Sequence, residues 1–317
     1  MSEAFTLTLN QMLQILILLA LGFAMNKSRL VSREMGNVFS KFLTMLFIPS
    51  MTLYSNMMEC KLTSLASNLP LVLYGTAFYL IGVFLSYPLA KLFSPDNDYM
   101  RGVYRYAMAM PNTAAVAVPI LLSLFGMSGV FQFGLFAIAG SILTYSWGMA
   151  QMQPSHGKTS WQTNLAKCIN INTLAMIVGM ILGLLGAPNW MPVFISDTVY
   201  DLSQCYIPVA LLLAGFSIAD YPLAQVFHNK KIHLYCLIRL LVFPAVFLLT
   251  LYLIKAPLII ATLTALTFAS PCGMNVVVFP AAYKEDCQTG ASMVLLSSLG
   301  SIITVPVIYV LTQMLFA

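Results

Sequence analysis

The chain alternates long apolar runs with short polar segments. Charge-free intervals cover residues 3–27, 41–59 and 61–91, and a longer one, 105–158, has room for two helices. A helix needs about 20 mainly apolar residues to cross a bilayer, so these intervals predict five spans, with a turn at 126–129 between the fourth and the fifth. Five further apolar runs bring the predicted total to ten: 169–187, 193–219, 232–254, 257–283 and 289–315.

Composition narrows the class of protein. With 60% hydrophobic and only 8% charged residues, the chain differs from soluble domains, in which roughly a quarter of the residues are charged. This excludes a soluble protein and predicts an all-α, multi-pass protein of the cell membrane. The 15 basic and 10 acidic residues are too scattered to indicate a nucleic-acid partner. The six cysteines lack the spacing of metal ligands or of a disulfide framework, so no metal and no cofactor are predicted.

The basic residues predict the orientation, because Lys and Arg of short loops stay on the cytoplasmic side. Of the 15 basic residues, 12 lie in loops that follow odd-numbered spans, and only Lys61 and Lys255 follow even-numbered ones, while Arg239 lies inside a span. Both termini are therefore expected outside, and the polar segment 151–167 in the cytoplasm.

The chain also repeats itself at a shift of about 160 residues. This repeat predicts two halves, 1–153 and 154–317, with five spans in each. An odd number of spans inverts the second half in the membrane, which is the architecture of many secondary transporters. Three landmarks recur at this shift: Ile48-Pro49 with Ile207-Pro208, Pro111 with Pro271, and residues 140–144 with 300–304.

Spans 4 and 9 carry matching helix-breaking segments, MPNTAAVAVP from Met110 and SPCGMNVVVFP from Ser270. Proline removes a backbone donor and glycine tolerates unusual dihedrals, while Asn, Ser or Thr can cap a helix that restarts. Unwound backbone at this depth requires a protein-lined cavity, and two restarting helix N-termini would favour a carboxylate there. The alternative is that both prolines only kink continuous helices.

These breaks, together with the segments TGASMVLLSSLGSIITVPVI and FIPSMTLY, resemble the auxin efflux carrier family, which includes the plant PIN-formed auxin carriers and bacterial permeases such as proposed malonate carriers. The resemblance implies a fold similar to that of bile acid/sodium symporters. In it, spans 1, 2, 6 and 7 form a scaffold, spans 3–5 and 8–10 form a moving transport domain, and broken spans 4 and 9 cross beside the substrate.

The short polar loop is similar to that of the bacterial members, which implies a bacterial inner membrane, and similarity to the plant carriers implies a homodimer. One departure is visible at the start of span 6, where this chain has Asn172-Thr173 and many members have Asn-Pro.

Candidate substrate-binding residues cluster at the two breaks. The amides of Asn112 and Asn275 are expected to donate to an anion, to cap the restarting helix, or both. Gln204 and Tyr206, beside Ile207-Pro208, are expected either to form the opposite wall or only to pack. Gly179 and Gly183, spaced as GxxxG, are expected to allow close helix contact. The other candidates at the breaks are Pro111, Thr113, Ser270, Pro271 and Gly273.

Arg239 lies about seven residues into span 8. It is a candidate counter-ion for the substrate, because an intramembrane Arg is costly, but it is also placed to snorkel to the cytoplasmic interface. No acidic residue falls near mid-membrane in the predicted spans, which disfavours an antiporter that titrates a buried aspartate. Coupling to H+ or Na+ through carbonyls and hydroxyls stays open, and anion preference is expected to come from helix dipoles.

The sequence thus predicts a secondary transporter, an efflux permease that exports or exchanges a small organic anion by alternating access, and not an enzyme. The alternatives are a non-transporting ligand-binding sensor with the same fold and an intramembrane hydrolase that uses Ser217. The hydrolase is disfavoured because the three histidines all lie in predicted loops: His156, His228 and His233. The expected partners are the anion, membrane lipid and a second copy of the chain.

Overall fold

The computed structural model describes residues 2–114, 116–152, 170–219, 230–282, 285 and 288–316. Within these ranges it is built from helices, with one isolated antiparallel bridge and no β-strand, which confirms the predicted all-α class. The boundary between the predicted repeats, at 153/154, lies outside the described residues, as do His156, His228 and the side chain of Ser217.

Among the described residues, six helices are long and apolar enough to cross a membrane, and three further apolar helices are shorter. The six are Glu34–Glu59, Leu62–Phe93, Ala117–Phe136, Val193–Phe216, Lys230–Leu253 and Gln288–Phe316. The shorter ones are Leu16–Lys27, Ile171–Leu184 and Leu258–Ala269. The chain therefore crosses a membrane several times, while the ten spans and the inverted repeat remain predictions.

Local sequence explains where several helices begin or turn. The side chain of Asn97 accepts a hydrogen bond from the Met100 amide at 3.0 Å at the start of Asp98–Ala109, and Asn170 accepts from the Thr173 amide at 3.1 Å at the start of Ile171–Leu184. These are ordinary N-caps. Gly126 has a φ of 63° inside Ala117–Phe136, so the backbone leaves the helix at the predicted turn.

Two prolines widen the helices that contain them. A π-helical turn, Leu43–Phe47, precedes Ile48–Glu59, in which Pro49 is the second residue. A second π-helical turn, Ile238–Val242, precedes Phe243–Leu253, in which Pro244 is the second residue. Proline has no amide and its ring crowds the preceding turn, and a wider turn relieves both problems.

The chain divides into two compact units. The first unit comprises Met1–Pro70, Val118–Leu135 and Ile169–Asp220. The second unit comprises Leu71–Ala117, Phe136–Cys168 and Tyr221–Ala317. Both helix-breaking segments predicted from the sequence, apart from the restarting helix that begins at Ala117, belong to the second unit.

Glycines let helices of the first unit touch through their backbones. A Cβ atom at Gly22 would lie 2.0 Å from the carbonyl oxygen of Leu212, and one at Gly215 would lie 2.0 Å from that of Leu19. The helices Ser2–Lys27 and Tyr206–Ala219 therefore pack through a reciprocal pair of glycines.

Gly179 and Gly183 have the same role on another helix pair. A Cβ atom at Gly179 would lie 2.6 Å from the Leu53 carbonyl oxygen, and one at Gly183 would lie 2.6 Å from that of Cys60. The expectation of close helix contact at the GxxxG spacing is confirmed.

The core of the second unit surrounds the helix Leu258–Ala269, which is buried from Ile260 to its end. Aromatic rings pack on its Phe268 side chain, with ring centroids 4.6 Å away at Phe247 and 5.4 Å away at Tyr79. A helix that is buried on every side and ends inside the protein needs partners for its last carbonyl groups.

Candidate functional site

Two segments that interrupt helices pair with each other within the second unit. The helix Asp98–Ala109 ends and the chain restarts at Ala117, and Leu258–Ala269 ends and restarts at Asn275. We call residues 110–116 the first interruption and residues 270–274 the second interruption; Ala115 lies outside the described residues. Since both helices end at extended residues, Met110 and Ser270, the alternative of proline kinks in continuous helices is wrong.

The interruptions pair with each other through their backbones. The Asn112 amide donates to the Pro271 carbonyl oxygen at 2.7 Å, and the Gly273 amide donates to the Met110 carbonyl oxygen at 3.0 Å. Pro111 and Cys272 stand opposite each other in an antiparallel bridge. We call residues 110–112 and 271–273 the crossing. Its two hydrogen bonds satisfy backbone groups that each helix left without a partner when it ended.

A second layer of hydrogen bonds supports the second interruption. The amide of Cys272 donates to the Ser297 Oγ at 3.0 Å. The Ser270 hydroxyl donates to the Leu266 carbonyl oxygen at 2.7 Å, and Ser270 is fully buried. The structure therefore directs the Ser270 hydroxyl to its own helix, and its contact with a substrate stays a prediction.

Tyr106 lies beneath the crossing. It is 1% exposed, and its hydroxyl has the side chains of Asn275 and Thr144 as hydrogen-bonding neighbours. A Cβ atom at Gly273 would lie 3.3 Å from the Tyr106 ring and 3.1 Å from the Met110 carbonyl oxygen. A Cβ atom at this position would make closer contacts than most side chains do, so glycine favours close packing here, a reason that the predicted binding role did not include.

The two candidate asparagines differ in their surroundings. Asn275 is half-buried and is the first residue of its restarting helix Asn275–Ala282, and its side chain is a neighbour of the Tyr106 hydroxyl. Asn112 is half-buried, as are its neighbours Pro111 and Thr113, and a turn begins at Thr113. The crossing thus brings together both prolines, Asn112 and Gly273, and Asn275 lies two residues beyond it. Contact of these residues with a substrate stays a prediction.

Arg239 does not snorkel. It is fully buried, and its Nη1 donates to the carbonyl oxygen of Phe268 at 2.8 Å, in the last turn of Leu258–Ala269. Tyr235, also fully buried, donates its hydroxyl hydrogen to the Ala107 carbonyl oxygen at 3.0 Å, in the last turn of Asp98–Ala109. The expectation that Arg239 reaches the interface is wrong, because its head group lies against a helix end inside the unit.

Gln204 and Tyr206 belong to the first unit. Gln204 is exposed and donates to the Tyr200 hydroxyl at 2.6 Å, while Tyr206 is fully buried. Only Cys205 separates the helices Val193–Gln204 and Tyr206–Ala219, and Pro208 lies in the first turn of the second helix, where proline is tolerated. A wall formed by these two residues stays a prediction.

The described residues hold no group of three or more His, Cys, Asp or Glu side chains that could bind a metal ion. Among the buried polar residues of the described ranges, Arg239 is the charged one. The local electrostatics of the crossing, as far as the structure describes it, come from helix ends and from this guanidinium.

Sequence reasoning missed Tyr106, Tyr235 and Ser297. Tyr235 and Ser297 contact the crossing from segments that are distant in sequence. Tyr106 lies in the helix that leads into the first interruption, but its contact with Gly273 joins residues 167 positions apart. One signal was present: Tyr235 and Arg239 lie four residues apart on an apolar helix, which places both on one face.

A family model described as membrane transport protein matches residues 7–309. No curated protein matches the chain.

Proposed function

Because the chain belongs to this family of membrane transport proteins, the auxin efflux carrier family, we propose that it is a secondary carrier that moves a small organic anion, such as a carboxylate, by alternating access. The crossing of the two interrupted helices is the observation that carries this proposal. Broken helices that meet inside a membrane protein are the usual site of substrate binding in secondary transporters.

Charge at the crossing favours an anion. The restarting helix of the second unit begins at Asn275, and a helix N-terminus carries roughly half a positive charge and free amide groups. The side-chain amides of Asn112 and Asn275 add neutral donors beside them. An anion would thus be bound without direct contact with a basic side chain.

The division into units supports a moving transport domain. The second unit contains both segments of the crossing. It also contains the helices Lys230–Leu253 and Gln288–Phe316. A unit that contains the whole crossing is able to carry a bound anion as one body. The first unit, with the reciprocal glycine contacts of Gly22 and Gly215, is the proposed scaffold.

Uptake into proteoliposomes tests the proposal. The purified chain is assayed with a panel of mono- and dicarboxylates and their neutral amides, with and without sodium and proton gradients. We expect saturable flux of at least one carboxylate and none of its amide. Binding of a carboxylate without flux under every gradient would instead identify a sensor, and neither binding nor flux would reject an anion carrier.

Substitution of the asparagines tests the site. Asn112→Ala and Asn275→Ala should each weaken carboxylate binding roughly 10- to 100-fold, since hydrogen bonds to a charged group contribute about 1.5–3 kcal/mol. Asn68→Ala is the matched control, because the Asn68 amide donates to the Ser64 carbonyl oxygen in the first unit. Unchanged affinity and flux in both asparagine variants would remove Asn112 and Asn275 from the site.

The proposed orientation has both termini outside a bacterial inner membrane. Cysteines introduced by Ser160→Cys and Ala317→Cys, in a background without native cysteines, should react with impermeant reagents from the cytoplasmic and outer sides respectively. Labelling of both positions from one side contradicts the ten-span inverted repeat.

A further inference from the structure

Two side chains on one face of the helix Lys230–Leu253 donate hydrogen bonds to the ends of both interrupted helices. Tyr235 donates to Ala107 in the last turn of Asp98–Ala109, and Arg239 donates to Phe268 in the last turn of Leu258–Ala269. The last four carbonyl groups of a helix have no partner within it, so each side chain supplies a donor at an end that would otherwise lack one.

Tyr235 also contacts the crossing itself. Its hydroxyl has the Cys272 thiol as a second hydrogen-bonding neighbour, and Cys272 is the residue that stands opposite Pro111. This hydroxyl therefore lies between the end of the first interrupted helix and the second interruption. Loss of the Tyr235 hydroxyl would therefore affect both segments of the crossing.

Arg239 is placed to act through its charge. Its guanidinium carbon lies 5.9 Å from the centroid of the Phe268 ring, and within the described part of the chain its Nε and Nη2 atoms have no hydrogen-bond partner. A buried guanidinium in such surroundings is costly, and an apolar side chain would fill the same space at less cost. The positive charge of Arg239 offsets the roughly half negative charge at the C-terminal end of the buried helix Leu258–Ala269.

The same burial separates Arg239 from the substrate. The side chain is 0% exposed, so in this conformation an anion in a water-filled cavity does not reach its guanidinium. A counter-ion that binds the substrate directly does not fit this position. A residue that acts on the crossing through the end of Leu258–Ala269 does fit it.

We propose that Tyr235 and Arg239 are positioning residues, which join the ends of both interrupted helices to one face of the helix Lys230–Leu253 and so maintain the crossing, Arg239 through its charge. The effect on transport rests on the proposed function. The effect on the crossing does not, and it is measured separately.

Hydrogen–deuterium exchange of the purified full-length chain measures the crossing directly. Four variants are compared with the unsubstituted chain: Tyr235→Phe, Arg239→Lys, Arg239→Gln and Leu240→Ala. Leu240 is the matched control, because it is 3% exposed in the same π-helical turn and lies against Gly300. Lys keeps the charge of Arg239, whereas Gln keeps a hydrogen-bond donor without it.

We expect Arg239→Gln to raise exchange roughly tenfold in peptides that contain residues 107–112 and 268–273, and Arg239→Lys to restore most of the protection. Tyr235→Phe should raise exchange in the same peptides by a smaller factor. Leu240→Ala should lower the thermal unfolding temperature without this local pattern. Normal protection in Arg239→Gln, equal loss in the Lys and Gln variants, or the same pattern in Leu240→Ala would overturn the proposal.

Transport gives the second measurement. With the carboxylate that the unsubstituted chain carries, Arg239→Gln should lower the maximal rate several-fold, keep KM within about twofold, and keep the preference for the acid over its amide. A large rise in KM with loss of that preference would make Arg239 the counter-ion instead. If no carboxylate is carried, the proposed function fails, and the exchange data still decide whether these residues maintain the crossing.

Discussion

The two interruptions that form the crossing differ in burial and in the side chains that contact them. The first interruption is half-buried at Pro111, Asn112 and Thr113. The second interruption is buried from Ser270 to Gly273, and the Ser297 hydroxyl accepts a hydrogen bond from the backbone amide of Cys272. The end of the first helix receives a neutral hydroxyl and the end of the second a guanidinium.

This difference distinguishes two segments that the sequence relates by a shift of about 160 residues. The second interruption is closely packed and internally satisfied, so it forms the rigid side of the crossing. The first interruption presents more polar side-chain surface, which suits contact with a varying partner. The repeat therefore predicts where helices break, and the neighbours of each break determine what it can do.

The largest effect is expected from a side chain on the rigid side. Gly273→Val should lower the free energy of unfolding by about 3 kcal/mol, because its added methyl groups would overpack the space beside Met110 and Tyr106. Thr113→Val, at the repeat-related position, adds no heavy atom to a half-buried side chain and should change stability by less than about 1 kcal/mol. Unfolding titrations of the two purified variants measure both values, and equal losses would contradict a rigid and an adaptable side.

A smaller effect is expected at the support of the second interruption. Ser297→Ala removes the acceptor of the buried Cys272 amide and should cost about 2 kcal/mol. Ser301→Ala on the same helix is the control, since its hydroxyl donates only to the nearby Ser298 carbonyl oxygen among the bonds described. The comparison uses unfolding titrations again, and a cost at Ser301 as large as at Ser297 would mean that the helix as a whole, rather than this bond, is sensitive.

The smallest effect is expected at Tyr106, whose hydroxyl lies beside the Asn275 side chain. Tyr106→Phe keeps the ring beneath Gly273 and removes only the hydroxyl, so carboxylate affinity should fall by about 1 kcal/mol, roughly fivefold. Tyr309→Phe, a buried tyrosine on Gln288–Phe316, should leave affinity unchanged. Isothermal titration of both variants distinguishes positioning of Asn275 from general loss of packing, and a normal affinity in Tyr106→Phe removes this hydroxyl from the site.

Local chemistry made part of this structure predictable. Pro111 and Pro271 lack a backbone donor and lie beside small or polar residues, so the sequence predicts an interrupted or kinked helix at each. The structure shows the interruption. Gly126 lies where the chain leaves the helix with a positive φ, a conformation that glycine adopts readily. The all-helical class follows from the apolar runs alone.

The rest depends on contacts between distant segments. Tyr235 and Ala107 are 128 residues apart, and Ser297 and Cys272 belong to different helices. The position of Arg239 near the start of an apolar run favoured snorkelling, because the sequence does not reveal that a helix ends inside the unit beside it. A buried helix end requires a donor, and that requirement becomes visible only when the three-dimensional packing is known.

The reciprocal glycine pair has a consequence for biosynthesis. The helix Ser2–Lys27 packs on Tyr206–Ala219 through Gly22 and Gly215, and the Asn26 side chain donates to the Phe216 carbonyl oxygen, 190 residues later in the chain. At roughly 5–20 residues per second, the first helix is synthesised about 10–40 s before its partner. The ribosome thus completes most of the chain before the first unit is able to close.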